Sequence, residues 1–178
     1  MENQLEKINT HIFSTSKEAS SVVAQKIATL IKSKAAKDKM CVLGLATGST
    51  PTSVYAELIR MHTQEGLSFK NVVTFNLDEY FPMPPDALQS YVRFMKEHLF
   101  DSIDILPENI HIPDGTVDKE NIADFCKKYE AKIKKLGDTV RLCWSQTVKT
   151  VPHYVEYPLF TFFEWGICMS ERVRTTQT

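Results

Sequence analysis

Two short segments of this sequence carry residues whose types and spacing could do chemistry. The first, Thr47-Gly48-Ser49-Thr50, follows an apolar run that ends at Leu45 and stands directly before Pro51. Small and hydroxyl-bearing residues between a strand and a helix leave backbone N–H groups free to face an anion, and the positive end of the helix dipole strengthens the attraction. These residues therefore predict a phosphate-binding turn.

This turn does not match the common nucleotide-binding loops. The spacing Gly-x4-Gly-Lys-Ser/Thr is missing, and Gly44 with Gly48 does not make Gly-x-Gly-x-x-Gly. Taken by itself, the segment also fits an ordinary turn before a helix that Thr50 caps and Pro51 opens. The turn alone leaves both interpretations open.

The second segment is Asp78-Glu79, which follows an apolar strand predicted over residues 71–76. A carboxylate held near the carbons of a bound sugar, partly shielded from water, can move a proton between neighbouring carbons and contributes ~10²–10⁴-fold to the rate. We therefore predict Asp78 as the general base and Glu79 as a secondary candidate. For an isolated Asp-Glu pair, a cap on the following turn or a Mg²⁺ site would be the better interpretation, and the phosphate-like turn nearby is what favours proton transfer.

The spacing of apolar residues predicts alternating strands and helices. Helices are expected over residues 17–36, 51–65, 87–100 and 118–135, and strands over residues 41–45 and 71–76, with shorter extended pieces at 11–13, around Ile110 and Ile112, and at 139–148. This alternation predicts an α/β fold with an open, mostly parallel, Rossmann-like sheet flanked by helices. Ligands bind such sheets beyond the carboxyl ends of the strands, where both segments fall.

Local details of these elements can also be predicted. Three prolines between Phe81 and Asp86 exclude a helix and indicate a rigid loop over the strand ends. In the helix expected over residues 87–100, Leu88 is predicted to face inward. The first helix is expected to draw its cap from the hydroxyls of residues 14–16, with Ser16 and Ala19 outlining a poor capping box.

Composition places the chain among ordinary globular proteins. It has 178 residues, 43% of them hydrophobic and 24% charged, with a formal net charge of −1. The absence of a basic cluster argues against nucleic acid as the main partner. No apolar run reaches the length of a membrane span, and the acidic, polar start of the chain does not resemble a signal peptide, so a cytoplasmic location is expected.

The cysteines and histidines do not suggest a further reaction. The four cysteines (Cys41, Cys126, Cys143 and Cys168) show no Cys-x-x-Cys spacing, so neither a disulfide framework nor a metal site is predicted. His62, His98, His111 and His153 form no Ser-His-Asp or His-x3-His pattern. Hydrolysis by a nucleophilic side chain and zinc chemistry therefore rank low.

Three segments in order resemble the glucosamine-6-phosphate deaminases. They are residues 44–51 (Gly-Leu-Ala-Thr-Gly-Ser-Thr-Pro), 74–80 (Thr-Phe-Asn-Leu-Asp-Glu-Tyr) and 89–95 (Gln-Ser-Tyr-Val-Arg-Phe-Met), and residues 105–110 fit the same family. The resemblance runs from about His11 to Gly137. The related 6-phosphogluconolactonases are expected to carry Asp-Glu-Arg at the second segment, whereas Tyr80 follows the carboxylates here.

The resemblance implies a reaction in which glucosamine 6-phosphate and water give fructose 6-phosphate and ammonia. It implies that Asp78 moves the proton during the aldose–ketose isomerisation and that the turn at residues 47–50 holds the phosphate. It also implies that no cofactor is needed and that the full-length proteins are homo-oligomers. A 6-phosphogluconolactonase-like hydrolase and a non-catalytic sugar-phosphate-binding module are the alternatives.

The resemblance ends at Gly137. The family continues with a loop of the form Gly-x-Gly-x-x-Gly-His-Ile-x-Phe-Asn-Glu-Pro, which this sequence lacks. We therefore expect a deaminase-like domain over residues 1–137 and an atypical, aromatic-rich tail over residues 138–178 that is out of frame or truncated. On this interpretation the sheet is incomplete at its C-terminal side, and activity is expected to be weak or absent.

Overall fold

The computed structural model describes residues 13–136 and the backbone of residues 139–141. Four α-helices lie in this part of the chain: α1 (Ser16–Ala35), α2 (Ser49–Glu65), α3 (Tyr91–His98) and α4 (Ile122–Lys135). The strands are β1 (Cys41–Leu45), β2 (Val72–Asn76), β3 (Ile110–His111) and β4 (Thr139–Arg141). Short 3-10 turns occupy residues 100–102, 107–109 and 119–121.

The four described strands form one sheet in the order β3-β2-β1-β4. Each of the three pairings is parallel. Helices connect the strands, as parallel neighbours require, because such strands cannot be joined by a tight hairpin. The predicted parallel, Rossmann-like α/β fold is confirmed.

The sheet is covered on both faces, which explains the apolar character of its central strands. All five residues of β2 are buried, and so are Cys41, Leu43 and Leu45 of β1. The larger core lies on one face, between the sheet and α1, α2 and α3. On the other face Val42, Val73 and Phe75 pack against residues of α4. No helix in the described part of the chain is long and apolar enough to cross a membrane.

The start of α1 differs from the predicted cap. Thr15 is the cap residue, and its hydroxyl oxygen accepts a hydrogen bond from the N–H of Glu18 at 3.2 Å. The Glu18 carboxylate in turn accepts from the N–H of Ser14 at 3.3 Å. The cap therefore comes from a hydroxyl within residues 14–16, as predicted, whereas the capping box predicted from Ser16 and Ala19 was wrong, since Thr15 pairs with Glu18.

The helix predicted over residues 87–100 is also shorter than expected. It begins at Tyr91 and ends at His98, and residues 81–90 form bends and turns, as their prolines predict. Leu88 is 82% exposed, so its predicted inward position was wrong. The helix starts late because Ser90 caps it, as described below.

Several predicted features lie outside the described residues. They are residues 11–12 of the first extended piece, residues 142–148 of the strand expected over 139–148, the domain boundary at Gly137, the aromatic-rich tail, Cys143, Cys168 and His153. The backbone of Thr139–Arg141 does form a strand and pairs with β1.

Tyr129 joins α4 to the carboxyl edge of the sheet. Its hydroxyl lies 3.0 Å from the carbonyl oxygen of Asn76 and 3.0 Å from that of His111, the last residues of β2 and β3. Its ring packs edge-on against Phe75 at a centroid distance of 5.5 Å. One buried side chain thus fixes the helix against both strand ends.

The substitution Tyr129→Phe tests whether the hydroxyl of Tyr129 stabilises the packing of α4 on the sheet. It keeps the ring but removes the hydroxyl, and we expect the free energy of unfolding to fall by about 1 kcal/mol, the net value of a buried hydrogen bond. Urea unfolding followed by circular dichroism measures the change. An unchanged midpoint would show that the hydroxyl does not stabilise the fold.

Candidate functional site

The two chemically interesting segments begin level with each other at one edge of the sheet. β1 and β2 pair in register from Cys41↔Val72 to Leu45↔Asn76, so both strands end at the same height. Thr47 and Asp78 each stand two residues beyond this last pair. Since neighbouring strands lie about 4.8 Å apart, the backbone leaves the sheet at nearly the same place in both segments.

The turn after β1 leads directly into α2. Gly48 is the residue before the helix, with φ 121° and ψ 174°, a conformation essentially confined to glycine. Among the described residues, no side chain caps this end of α2, and its first turn carries no acidic residue. Gly48, Ser49 and Thr50 are exposed. The first N–H groups of α2 and the positive end of its dipole therefore face a surface where an anion can bind.

The predicted start of α2 needs a correction. The helix begins at Ser49, so Pro51 occupies its third position and Thr50 lies inside the helix, where it is not the cap. Pro51 is tolerated there because the N–H groups of the first turn have no partner within the helix. The alternative of a turn capped by Thr50 is thus wrong.

A buried hydroxyl fixes the beginning of the turn. Tyr55 is 2% exposed and donates a hydrogen bond to the carbonyl oxygen of Ala46, which immediately precedes Thr47. Burial raises the pKa of the Tyr55 phenol, with the bond to Ala46 acting weakly in the opposite direction, so the group remains a hydrogen-bond donor near neutral pH. The turn therefore leaves the sheet in a defined direction.

Asp78 is half-buried, the exposure expected of a carboxylate that acts on a bound molecule. Its charge is close enough to the hydroxyl of Tyr91 to affect the ionisation of that group. Thr47 of the phosphate-like turn also acts on this phenol and lowers its pKa. One side chain thus connects the two segments that were predicted to meet.

Tyr91 was not predicted as a site residue, yet it lies at the centre of this arrangement. Burial raises the pKa of its phenol, and the hydrogen bond to Tyr80 and the negative charge of Asp78 raise it further, while the hydrogen bond to Thr47 lowers it. The phenol therefore stays protonated near neutral pH. The Tyr80 and Tyr91 rings also pack together at a centroid distance of 4.8 Å. The sequence signal was a Ser-Tyr pair that opens a helix after a rigid loop.

The side chain of Glu79 contacts the first turn of α3. Its side chain is 8% exposed and accepts hydrogen bonds from the N–H groups of Tyr80, Tyr91 and Val92 and from the hydroxyl of Ser90. Ser90 itself caps α3 by accepting from the N–H of Val92 at 3.0 Å. Of the two carboxylates, Glu79 therefore makes the capping contacts, and Asp78 stands two residues beyond the end of β2.

The described histidines serve in packing. His62 contacts the carbonyl oxygen of Leu67 at 2.6 Å through Nδ1, and His98 stacks on Phe94 at 4.3 Å. His111 packs on Phe75 at 4.6 Å, and burial, followed by the charge of Lys132, lowers the pKa of its imidazole. Cys41 is fully buried, and burial raises the pKa of its thiol to about 11. In the described part of the chain, no three His, Cys, Asp or Glu side chains form a cluster that could hold a metal ion.

A separate open cavity lies next to Tyr80 and Tyr91. Its volume is about 630 Å³, and its walls include Tyr80, Tyr91 and residues 81–83. Neither Asp78 nor the turn at residues 47–50 lines it. The cavity therefore borders the candidate site but is distinct from the surface where the turn and the carboxylate meet.

The geometry defines an α/β protein in which an uncapped helix start and a carboxylate segment both follow the carboxyl edge of a parallel sheet. A family model described as glucosamine-6-phosphate isomerases/6-phosphogluconolactonase matches residues 14–151. The chain therefore belongs to this family.

Individual relatives agree with this assignment. Glucosamine-6-phosphate deaminase 2 of Giardia intestinalis is 48% identical over 122 residues, which cover 68% of this chain and 44% of that protein. A solved structure of a monomeric glucosamine-6-phosphate deaminase aligns with a TM-score of 0.69 and 39% identity, covering 74% of this chain and 52% of that one.

A structure of 6-phosphogluconolactonase from Thermotoga maritima aligns with a lower TM-score of 0.54 and 28% identity, covering 67% of this chain and 51% of that one. The chain thus spans less than half of the curated deaminase and about half of the two solved proteins. The resemblance to the deaminases found from the sequence is confirmed.

The conformation of Gly48 gives a direct test of the turn. We expect Gly48→Ala to lower the free energy of unfolding by about 1–3 kcal/mol, because a Cβ is strained at this φ and ψ. The same change should weaken the binding of inorganic phosphate, measured by isothermal titration calorimetry, since it reorients the first N–H groups of α2.

Gly44→Ala is the matched control. A Cβ on Gly44 meets nothing within 4 Å among the described residues, and the φ of Gly44 is not positive. It should leave phosphate binding unchanged. Equal effects of the two substitutions would contradict a special role for the backbone at Gly48.

Proposed function

We propose that this chain carries the phosphate-binding turn and the proton-transferring carboxylate of a glucosamine-6-phosphate deaminase. The observation that supports the proposal most strongly is the in-register pairing of β1 with β2, which places Thr47 and Asp78 each two residues beyond the last pair, Leu45 with Asn76. A sugar phosphate can span such a site, with its phosphate on the turn and its reacting carbons at the carboxylate. Anchoring the distant phosphate also positions these carbons for reaction.

The turn supplies the phosphate site in this proposal. Thr47, Gly48, Ser49 and Thr50 offer backbone N–H groups and hydroxyls at the start of α2, and no acidic residue of its first turn opposes an anion there. Because the helix dipole points its positive end at the same place, a doubly charged phosphate gains from both contributions.

Asp78 carries out the isomerisation in this proposal. In the open-chain form of glucosamine 6-phosphate, its carboxylate removes the proton from C2, which bears the amino group, and returns a proton to C1, while the C1 oxygen gains the proton that the amino nitrogen loses. The product is an imine at C2, and water then releases ammonia and leaves fructose 6-phosphate. The half-buried position of Asp78 suits this role, because partial exclusion of water strengthens a carboxylate as a base.

Tyr80 favours this reaction over that of a 6-phosphogluconolactonase. Where the lactonases are expected to carry arginine, this chain has a phenol whose ring packs on that of Tyr91. The site would therefore lack a cation at this position. A lactonase and a non-catalytic module that binds sugar phosphates remain as measurable alternatives, and the location and association state of the protein remain predictions.

The substitution Asp78→Asn tests the assignment. The purified chain is incubated with glucosamine 6-phosphate, and fructose 6-phosphate and ammonia are measured. We expect Asp78→Asn to lower the rate by ~10²–10⁴-fold, because an amide cannot accept the proton, while the affinity for the sugar phosphate is retained.

Asp101→Asn, which makes the same change at an exposed residue of a 3-10 turn, serves as the control and should retain the wild-type rate. Binding without turnover in the wild-type chain would identify a non-catalytic module. Turnover of 6-phosphogluconolactone in place of the amino sugar would identify a lactonase. Failure to bind glucosamine 6-phosphate at all would contradict the proposal.

A further inference from the structure

We propose that Glu79 is a positioning residue: its buried carboxylate holds the base of α3 against the end of β2 and thereby sets Tyr91 and Asp78 in place beside the phosphate-binding turn. This inference rests on the function proposed above, because it assigns Glu79 a role in the same site. It also replaces the expectation that Glu79 acts as a second proton carrier.

The hydrogen bonds of Glu79 argue against a role in proton transfer. Oε1 accepts from the N–H of Tyr80 at 2.8 Å and from that of Tyr91 at 3.0 Å. Oε2 accepts from the hydroxyl of Ser90 at 3.0 Å and from the N–H groups of Tyr91 and Val92 at 2.9 and 3.2 Å. Every one of these contacts uses the carboxylate as an acceptor, so a proton on it would have to displace a donor that is itself buried or half-buried.

The same carboxylate connects two segments that are distant in the sequence. Glu79 directly follows Asp78, whereas Ser90, Tyr91 and Val92 lie 11 to 13 residues later. Three of the donors belong to the first turn of α3 or to its cap residue. The carboxylate also lies at the N-terminal end of α3, where the positive end of the helix dipole attracts an acceptor of backbone N–H groups.

The position of α3 then determines where the Tyr91 hydroxyl lies. The backbone N–H of Tyr91 donates to Glu79, and its ring packs against Tyr80 at a centroid distance of 4.8 Å. Asp78 raises the pKa of its phenol and Thr47 lowers it. A continuous set of contacts thus runs from the end of β2, through Glu79 and α3, to the turn after β1. Loss of any one of these contacts would move the carboxylate of Asp78 relative to a phosphate bound at residues 47–50.

The substitution Glu79→Gln disrupts these contacts with the smallest change in the shape of the side chain. An amide keeps one acceptor but turns the other atom toward backbone N–H groups as a donor, so at least one contact becomes repulsive. Glu97→Gln is the matched control, because it makes the same change within α3 at an exposed residue that forms an ion pair with Arg93.

Two measurements on the full 178-residue chain test the role of Glu79. The first is the rate of fructose 6-phosphate formation together with the affinity for glucosamine 6-phosphate. The second is the pH titration of tyrosine absorbance, with Tyr91→Phe used to assign the signal of Tyr91. The titration requires no substrate, so it tests the link between Glu79 and Tyr91 even where turnover fails.

We expect Glu79→Gln to lower the rate by about 100-fold, the effect of displacing a reacting group by roughly 1 Å, while the affinity changes far less. The phenol of Tyr91 should titrate at lower pH than in the wild-type chain. Its pKa is raised chiefly by burial, and release of α3 exposes it to water. Glu97→Gln should leave the rate and the titration unchanged.

Two outcomes would overturn the inference. A wild-type rate and titration in Glu79→Gln would show that the carboxylate does not position the site. A large loss of rate with an unchanged Tyr91 titration would show that Glu79 takes part in proton transfer directly.

The remaining outcomes are also decisive. If circular dichroism shows that Glu79→Gln is unfolded, Ser90→Ala removes one contact of the same carboxylate together with the cap bond to Val92 and should shift the Tyr91 titration in the same direction; no shift overturns the inference. If the wild-type chain neither binds nor converts glucosamine 6-phosphate, the proposed function fails. The titration then still decides whether Glu79 holds Tyr91.

Discussion

The parallel, in-register pairing of β1 and β2 is the constraint on which the site depends. Because Leu45 pairs with Asn76, the chain leaves both strands at one edge and at one height. A shift of two residues in this register would move Thr47 and Asp78 apart by about 7 Å, which exceeds the reach of a hydrogen bond. The site is therefore fixed first by the sheet and only then by side chains.

Two helices use the same physical property of their N-termini in different ways. The start of α3 is occupied by the chain's own anion, the carboxylate of Glu79, and by the hydroxyl of Ser90. The start of α2 follows Gly48 and has no side-chain cap among the described residues. One positive helix end thus stabilises the fold, and the other is available to an external anion. The difference explains how neighbouring helices can serve structure and binding within one edge of the sheet.

The sequence was sufficient to predict the sheet, its helices and the convergence of the two segments. Buried strands that end abruptly in small or acidic residues are local signals, and parallel topology then brings them to one edge. The cap of α3 could not be predicted in this way. Glu79 and Ser90 are separated by 11 residues, and only the folded path of residues 81–90 brings them together. For the same reason the inward position of Leu88 was wrong and the role of Tyr91 was missed.

The most direct test of the central claim is a nuclear magnetic resonance titration of the isotope-labelled chain with glucosamine 6-phosphate. If the turn and the carboxylate form one site, the amide signals of Gly48, Ser49, Thr50 and Asp78 should shift together and yield the same dissociation constant. Inorganic phosphate should shift the signals of the turn more strongly than that of Asp78. Shifts confined to the separate cavity beside Phe81 and Leu88, with the turn and Asp78 unaffected, would contradict the account.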